Sequence, residues 1–355
     1  MKNGTTLTLT GGGSITISGT GISGASANSD LVVAGTTVNL NAANTYNGPT
    51  FIRDGGVLNA SVSSALPTTP RSAMILDDVG TGSSTLALTA SNSAASLSGA
   101  ASSTIILATG STLTTGSSSG SSTFAGTLSG AGTLVKDGSS TQILTAASSY
   151  SGGTSVTGGT LLVGNSSGSA TGTGNLTIAV GATLAGTGSI APDAGNYIYL
   201  NGALVVGDPT LSSPVASALT LSTSGSGSTI LGASSTLSLD LFASGGDLTA
   251  NAAAADRIRI FGELDPTLGG TVLLGNPNLL TFNYGDRWTL FQVTGPGTIL
   301  ADLSFNDTAL GLSPFQFILF DRDTGILSIV PEPSRMLMLL LGLLLLQLRR
   351  QRRPF

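Results

Sequence analysis

Residues 144–161 read LTAASSYSGGTSVTGGTL, and residues 40–58 read LNAANTYNGPTFIRDGGVL. Both segments follow the order Leu-x-Ala-Ala-x-x-Tyr-x-Gly-x-Thr, and the earlier segment carries one extra residue near Gly56. Two ordered copies of one unit indicate a fold that is built from structural repeats. The copies share three signature positions at a constant separation of 104 residues: Tyr46 with Tyr150, Gly48 with Gly152, and Thr50 with Thr154.

Short strand-forming runs recur along the rest of the chain. They alternate or stay apolar for four to six residues and then meet Gly, Asn or Ser, which is the pattern of a strand followed by a turn. No sustained helical period occurs before residue 335, so the sequence predicts an all-β fold. Examples are residues 5–10 (TTLTLT), 14–18 (SITIS), 104–107 (TIIL) and 176–180 (LTIAV).

The composition favours a solenoid over a closed globular domain. Gly accounts for 50 of 355 residues and aromatic residues for only 5%, so a single short strand cannot close a core. Stacked coils can close a core, because Leu, Val and Ile point inward and Ser and Thr point outward, while Gly or Asn forms the corners. We therefore expect a right-handed parallel β-helix.

The absence of two residue types removes much chemistry. The chain has no Cys and no His, which excludes a Ser-His-Asp triad, a Cys nucleophile and zinc sites with His or Cys ligands. We expect no cofactor and no metal ion. Residues 1–330 carry 8 basic against 17 acidic residues, so their net charge is about −9 and nucleic acid is a poor partner.

Residues 130–190 resemble the autotransporter-associated β-strand repeat of secreted bacterial passenger domains. The resemblance is carried by Gly-Thr-Leu-Val-Lys at 132–136, Tyr-Ser-Gly-Gly-Thr at 150–154, Gly-Thr-Leu at 159–161 and Gly-Ala-Thr-Leu-Ala-Gly at 181–186. Residues 31–66 form a more divergent copy with Pro49 in place of the second Gly. This resemblance implies β-helix architecture and export, and it implies no catalytic activity.

The composition changes near residue 255, after which aromatic and charged residues become frequent. The run DRIRIFG at 256–262 alternates with period two, so Ile258 and Ile260 are expected to face inward and the arginines outward. We therefore divide the chain into a β-helix at 1–255 and the last coils with a β cap at 256–330. The remaining residues, 331–355, form a separate tail.

The tail has three parts in order: a proline-rich break, an apolar run and a basic end. We expect Pro331, Glu332 and Pro333 to be extended and to precede one short transmembrane helix. The helix is apolar on every face, although its 13 residues span only about 20 Å. Its anchor positions are Met336, Leu337, Leu340, Leu341, Leu344, Leu345 and Leu348, and the cytoplasmic arginines that follow are Arg349, Arg350, Arg352 and Arg353.

This tail resembles the PEP-CTERM sorting signal. That resemblance implies export through a bacterial inner membrane and processing by an exosortase at Pro-Glu-Pro. The resemblance implies that the protein is in the membrane before processing and at the cell surface or outside the cell afterwards. It also implies exopolysaccharide as a partner. The N-terminal residues MKNGTTLTLTGGG contain no apolar signal region, so we expect the true start to lie upstream.

Few residues are candidates for catalysis. The acid pairs are Asp77 with Asp78 and Asp321 with Asp323, and the second pair is expected in a turn before the last strand. Lys136 belongs to the repeat pattern and is expected at the edge of a coil. Calcium-binding nonapeptides and EF-hand spacing do not occur. We therefore expect a protein that is not an enzyme.

The sequence thus predicts an exported structural or adhesive protein of the cell surface or extracellular matrix. One alternative is a carbohydrate-active β-helix enzyme, such as a polysaccharide lyase or hydrolase. A clustered, partly buried carboxylate pair in a groove would favour the enzyme, and scattered acids would favour display. A second alternative is an autotransporter-type passenger or adhesin, although its membrane barrel would need amphipathic strands rather than one apolar helix.

Overall fold

A computed structural model describes residues 4–24, 29–77, 82–116, 120–265, 269–294 and 303–331. The strands in chain order are β1 (Thr6–Thr10), β2 (Ser14–Ile17), β3 (Asp30–Ala34), β4 (Thr37–Leu40), β5 (Thr50–Arg53), β6 (Val57–Ala60), β7 (Met74–Leu76), β8 (Thr85–Leu88), β9 (Asn92–Ala94), β10 (Leu97–Gly99), β11 (Thr104–Leu107), β12 (Thr112–Thr115), β13 (Ser121–Phe124), β14 (Thr127–Gly130), β15 (Thr133–Lys136), β16 (Thr141–Leu144), β17 (Thr154–Val156), β18 (Thr160–Val163), β19 (Leu176–Ile178), β20 (Thr183–Gly186), β21 (Ser189–Ile190), β22 (Ile198–Leu200), β23 (Ala203–Val206), β24 (Ala218–Ser222), β25 (Ser228–Leu231), β26 (Thr236–Asp240), β27 (Arg257–Phe261), β28 (Glu263–Asp265), β29 (Gly270–Gly275), β30 (Arg287–Thr289), β31 (Phe291–Thr294), β32 (Leu303–Asn306), β33 (Gln316–Asp321) and β34 (Ile326–Pro331). A 3-10 turn spans Thr308–Leu310.

Four parallel sheets run along the molecule, because each strand pairs with strands one coil earlier and one coil later. Sheet A has thirteen strands in the order β1-β3-β5-β7-β10-β13-β16-β18-β20-β23-β26-β29-β32. Sheet B is β2-β4-β6-β8-β11-β14, sheet C is β9-β12-β15-β17-β19-β22-β25-β28, and sheet D is β21-β24-β27-β31. This architecture agrees with a β-helix solenoid. Its right-handed sense stays a prediction that rests on the preference of parallel crossover connections.

The coils differ in length along the solenoid. In sheet A, Thr160 pairs with Thr141, which lies 19 positions earlier. Farther on, Thr236 pairs with Ala203, which lies 33 positions earlier, and Thr271 pairs with Thr236, 35 positions earlier. The additional residues of the long coils form the segments 207–217 and 241–255, which lie outside the main strands.

The core consists of side-chain rows that follow the ladder registers. Along sheet A, one inner row runs Leu161, Leu184, Leu204, Leu237 and Val272, and each of these residues is paired with the next and almost fully buried. The alternate positions of β26 are partly exposed, whereas Leu162 in β18 and Ala185 in β20 are buried although they alternate with this row. The period-two pattern thus defines an aliphatic interior, and part of the outer side of sheet A is covered as well.

Most predicted strands occur close to their expected positions. The run at 104–107 is a strand over those residues, whereas the run at 176–180 ends at Ile178. In β27, Ile258 and Ile260 are buried and Arg257 and Arg259 are partly exposed, as the alternation predicts.

The C-terminal part of the described chain departs from the parallel pattern. Strands β30, β34 and β33 form an antiparallel sheet, which we call sheet E. Phe320 packs edge-on against Phe291 and close to Phe305. These three aromatic residues therefore pack between sheet E and the last parallel coils.

Only Pro331 of the proposed tail is described, as the last residue of β34. The other predicted sorting, anchor and arginine positions, from Glu332 to Arg353, lie outside the described residues. Within the described ranges, no helix has the length and apolarity that a membrane crossing requires.

Phe124 fills a large part of the core in the middle of the solenoid. It is fully buried and paired with Gly99, and an added Cβ at Gly99 would lie 2.8 Å from its ring. A Cβ at Gly126 would also lie 2.8 Å from the ring. The two glycines therefore provide the space that the phenyl ring occupies.

We predict that Gly99→Ala lowers the free energy of unfolding by about 1–3 kcal/mol, because the added methyl group overpacks the core. Chemical denaturation measures the change. Gly12→Ala is the matched control, since no atom lies within 4 Å of its Cβ position, and it should have little effect. The double variant Gly99→Ala with Phe124→Leu should recover part of the loss. Equal stability of the two single variants would contradict this assignment.

Candidate functional site

The tyrosine of the second repeat copy lies at a buried corner. Tyr150 is fully buried, and its hydroxyl donates to Thr154 Oγ1 at 2.5 Å. Thr154 in turn donates to the carbonyl oxygen of Thr171 at 2.8 Å, so the relay ends on the next coil. Burial raises the pKa of the Tyr150 phenol, which therefore stays protonated. The signature Tyr and Thr thus act as a structural pair.

The first copy repeats this arrangement. The Tyr46 hydroxyl lies 2.7 Å from Thr50 Oγ1, and Thr50 lies 3.2 Å from Ser72 Oγ. Ser72 donates to the carbonyl oxygen of Gly48, which closes the relay within the repeat. Tyr46 is fully buried, so neither signature tyrosine presents an aromatic face to a sugar ring.

The two copies occupy different faces of the solenoid. The Tyr46 loop connects β4 of sheet B to β5 of sheet A, whereas the Tyr150 loop connects β16 of sheet A to β17 of sheet C. In both copies a Cβ at the signature glycine would collide with backbone, from Ser29 at Gly48 and from Gly132 at Gly152. The motif is therefore a corner that packs closely on the preceding coil and is hydrogen-bonded to the following one.

Lys136 does not lie at a coil edge, so that expectation was wrong. It is the last residue of β15 and is fully buried, in the inner row of sheet C between Thr115 and Val156. Its ammonium group donates to the carbonyl oxygens of Asp137 at 2.6 Å and Gly158 at 3.1 Å. Burial lowers its pKa, and the Asp137 charge partly opposes that change. Its role is structural.

The acid pairs selected from the sequence do not form a carboxylate site among the described residues. Asp77 is buried at the end of β7 and accepts a hydrogen bond from Ser102, whereas Asp78 lies outside the described residues. Asp321 accepts hydrogen bonds from the backbone of Asp323 and Thr324 in an exposed turn. Hydrogen bonds hold the pKa of the Asp321 carboxyl group below its ordinary value, and the bond from the Thr324 side chain has the largest effect.

A different carboxyl pair lies beside a cavity of about 300 Å³ on the outer side of sheet A. The segment 207–217 covers it, and the described lining contains no basic residue. Asp208, Asp240 and Asp256 contribute carboxyl groups to its lining, and Ser217 adds a hydroxyl group. The apolar lining comprises Leu162, Val205, Val206, Pro209, Leu211, Pro214 and Val215.

Two backbone amides hold the buried carboxyl group. Asp256 is 2% exposed, and it accepts from Ser217 N at 2.9 Å and from Asp240 N at 3.1 Å. Burial is the main cause that raises its pKa to about 7, and the Asp240 charge adds to the effect. Burial also raises the pKa of the half-buried Asp240. Both carboxyl groups of the pair therefore have raised pKa values, and burial is the main cause in each.

Sequence reasoning missed this pair because its members are 16 positions apart without a motif between them. The bridge between Leu241 and Ala255 closes the loop and brings the two aspartates together. No group of three or more acidic residues arranged to hold a metal ion occurs in the described part of the chain.

The raised pKa of Asp256 predicts a pH dependence of stability. Because an unfolded aspartate titrates near 3.9, the folded state binds more protons between about pH 4 and pH 7. The free energy of unfolding should fall by at most about 4 kcal/mol as pH rises through this window. Denaturation followed by fluorescence of Trp288, the single tryptophan, measures it. Asp256→Asn should flatten the slope, and Asp208→Asn should keep it.

If the free energy of unfolding of Asp256→Asn fell with pH as steeply as that of the wild type, the raised pKa would not belong to Asp256. Asp240 titrates in the same direction, so a smaller residual slope is expected in that variant.

Two segments of the chain, residues 34–60 and 134–163, match the model of the passenger-associated-transport-repeat family. They include both signature corners, at Tyr46 and Tyr150. The chain has no match among curated proteins. The autotransporter-associated repeat is thus present, and repeats of this kind indicate an exported or surface protein of passenger type.

Proposed function

We propose that the chain is a non-catalytic structural or adhesive protein of the cell surface or extracellular matrix. The observation that carries the proposal is the continuous thirteen-stranded sheet A, whose backbone ladder extends for about 58 Å at the usual strand spacing. A ladder of this length makes a stiff rod, because each coil is fixed by both neighbours. Outward positions of its strands from β13 to β32 include Ser121, Thr141, Thr160, Thr183, Thr236, Thr271 and Ser304, whose hydroxyl groups suit display and many weak contacts.

The C-terminal tail is the proposed sorting device. Pro331, Glu332 and Pro333 would be recognised by an exosortase, and the apolar run at 336–348 would hold the protein in the inner membrane until then. The support is the order of the three sequence elements and their resemblance to the PEP-CTERM signal. Exopolysaccharide is the proposed extracellular partner, and nucleic acid is not expected because the body is acidic.

Intact mass of the protein from surface and medium fractions of its native host tests this proposal. We expect a mass that lacks the residues after about Pro333. Glu332→Gln should leave the full-length protein in the membrane, whereas Gln316→Glu, a change of similar size outside the motif, should not. Full-length protein found only in membranes would contradict processing, and protein confined to the cytoplasm would contradict export.

The pair Asp240 and Asp256 supports a second function, that of a carbohydrate-active hydrolase. A carboxyl pair beside a cavity favours an enzyme over a display protein, and glycoside hydrolysis uses two carboxyl groups, one as general acid and one as base or nucleophile. If this function holds, the protein releases new reducing ends from neutral oligosaccharides. Asp256→Asn should then reduce the rate about 100-fold or more, whereas Asp208→Asn should not. No turnover in the wild type would contradict this second function.

A further inference from the structure

Exposed apolar side chains are concentrated at the C-terminal end of the described chain. Nine large apolar side chains are exposed in the described residues, and four of them lie in the segments 276–285 and 308–320, namely Leu279, Tyr284, Phe315 and Leu319. Neither segment contains a charged residue, and the adjacent Asp286 is fully buried. An uncharged apolar area in one part of a protein surface marks an interaction site.

The two segments are joined by hydrogen bonds. The Tyr284 hydroxyl donates to the carbonyl oxygen of Phe315 at 3.3 Å. The side-chain amide of Gln316 donates to the carbonyl oxygen of Phe282 at 2.7 Å. The exposed ring of Tyr284 is therefore held beside the turn that carries Phe315.

The outer side of sheet E continues this surface. Ile318 and Phe320 of β33 pack on the core, so alternation places Phe317 and Leu319 on the opposite, outer side. Val330 of β34 is paired with Phe317 and shares that side. We call the combined surface the aromatic patch, and its residues are Tyr284, Phe315, Phe317, Leu319 and Val330.

Sheet E is apolar at one end and charged at the other. Phe315 directly precedes Gln316, which is paired with Pro331, the last described residue. The exposed turn at 321–325, which contains three charged residues, lies at the opposite end of the same hairpin. Arg287 lies between the two ends. The apolar end is therefore the one at which the chain continues into the tail.

The length of the connection to the tail limits how far this end can be from a membrane. Four residues, 332–335, separate Pro331 from the apolar run at 336–348. Fully extended, this connection spans at most about 17 Å. With the apolar run in the hydrocarbon core, the aromatic patch is within reach of the headgroup layer. Tyrosine suits that layer, because its ring is apolar and its hydroxyl is polar.

We propose that the aromatic patch docks on the surface of a phospholipid bilayer and holds the C-terminal end of the solenoid against the membrane. This inference rests on the proposed function, because it takes the run at 336–348 to lie in the inner membrane until processing. Tyr284 and Phe315 contact the headgroup layer, and the charged turn at 321–325 stays in water. Release of the tail then removes the tether that keeps the patch at the bilayer.

Fluorescent labels at single cysteines test the proposal, because the chain itself lacks cysteine. Tyr284→Cys and Phe315→Cys each carry the environment-sensitive label NBD in the patch, and Asp323→Cys carries it in the exposed turn. The labelled full chain is reconstituted into vesicles of phosphatidylethanolamine and phosphatidylglycerol, with and without nitroxide-labelled lipid. We expect the nitroxide to quench the labels at 284 and 315 about twofold or more, and the label at 323 much less.

Charges in the patch should abolish this contact. With the label at 284, the double variant Phe315→Asp with Leu319→Asp should lower the quenching to that of the label at 323, because an unpaired charge resists transfer from water. Val180→Asp is the matched control, since Val180 is an exposed apolar residue outside the patch, and it should leave the quenching unchanged. Thermal unfolding without vesicles checks that each protein is folded.

The outcomes separate failure of the docking from failure of the anchor. Full chain that floats with the vesicles, but whose labels at 284 and 315 are quenched no more than the label at 323, would overturn the docking alone. Full chain that does not float with the vesicles would overturn both the anchor and the docking. Labels at 284 and 315 that are already shielded without vesicles, and that nitroxide lipid does not quench, would mean that the tail or a second copy covers the patch, which also overturns the docking.

Discussion

Each coil of this protein obtains its backbone hydrogen bonds from the coils before and after it. A strand of three or four residues has no other source of pairing, so the coils must stack in register along the whole axis. Register then dictates side-chain placement, because a shift by one residue would turn the inner row of sheet A outward. Aliphatic rows inside and hydroxyl rows outside are both consequences of this single constraint.

The same constraint explains how polar residues are tolerated in the interior. Gln142 takes one place in the inner row of sheet A, and its amide donates to the carbonyl oxygens of Leu97 and Ser122. Asn44 accepts from Ile22 N and donates to Ala65 O, so it links the coils on either side of its own. Gln142 thus satisfies backbone acceptors from within strand β16, whereas Asn44 does so at a corner, as the Tyr–Thr relays do in the two repeats.

The alternation of apolar and polar residues made the strands and the inward positions predictable. The same period-two rule would have placed Lys136 inward, because it follows Leu134 by two residues in β15, and its charge led us to expect a coil edge instead. The constant separation of 104 residues did not reveal that the two copies lie on different faces. The carboxyl pair at Asp240 and Asp256 depends on closure of the loop 241–255, for which local sequence carries no signal.

The central claim is that sheet A advances by one strand spacing per coil from Ser121 to Ser304. Because the chain lacks cysteine, nitroxide labels can be attached at Ser121→Cys and Ser304→Cys alone, and both sites are exposed. Pulsed electron–electron double resonance should give a narrow distribution of distances between the two labels. Its centre should lie near 34 Å, the length of seven steps at the strand spacing. A broad distribution, or one centred far from that distance, would contradict the stacked-coil account.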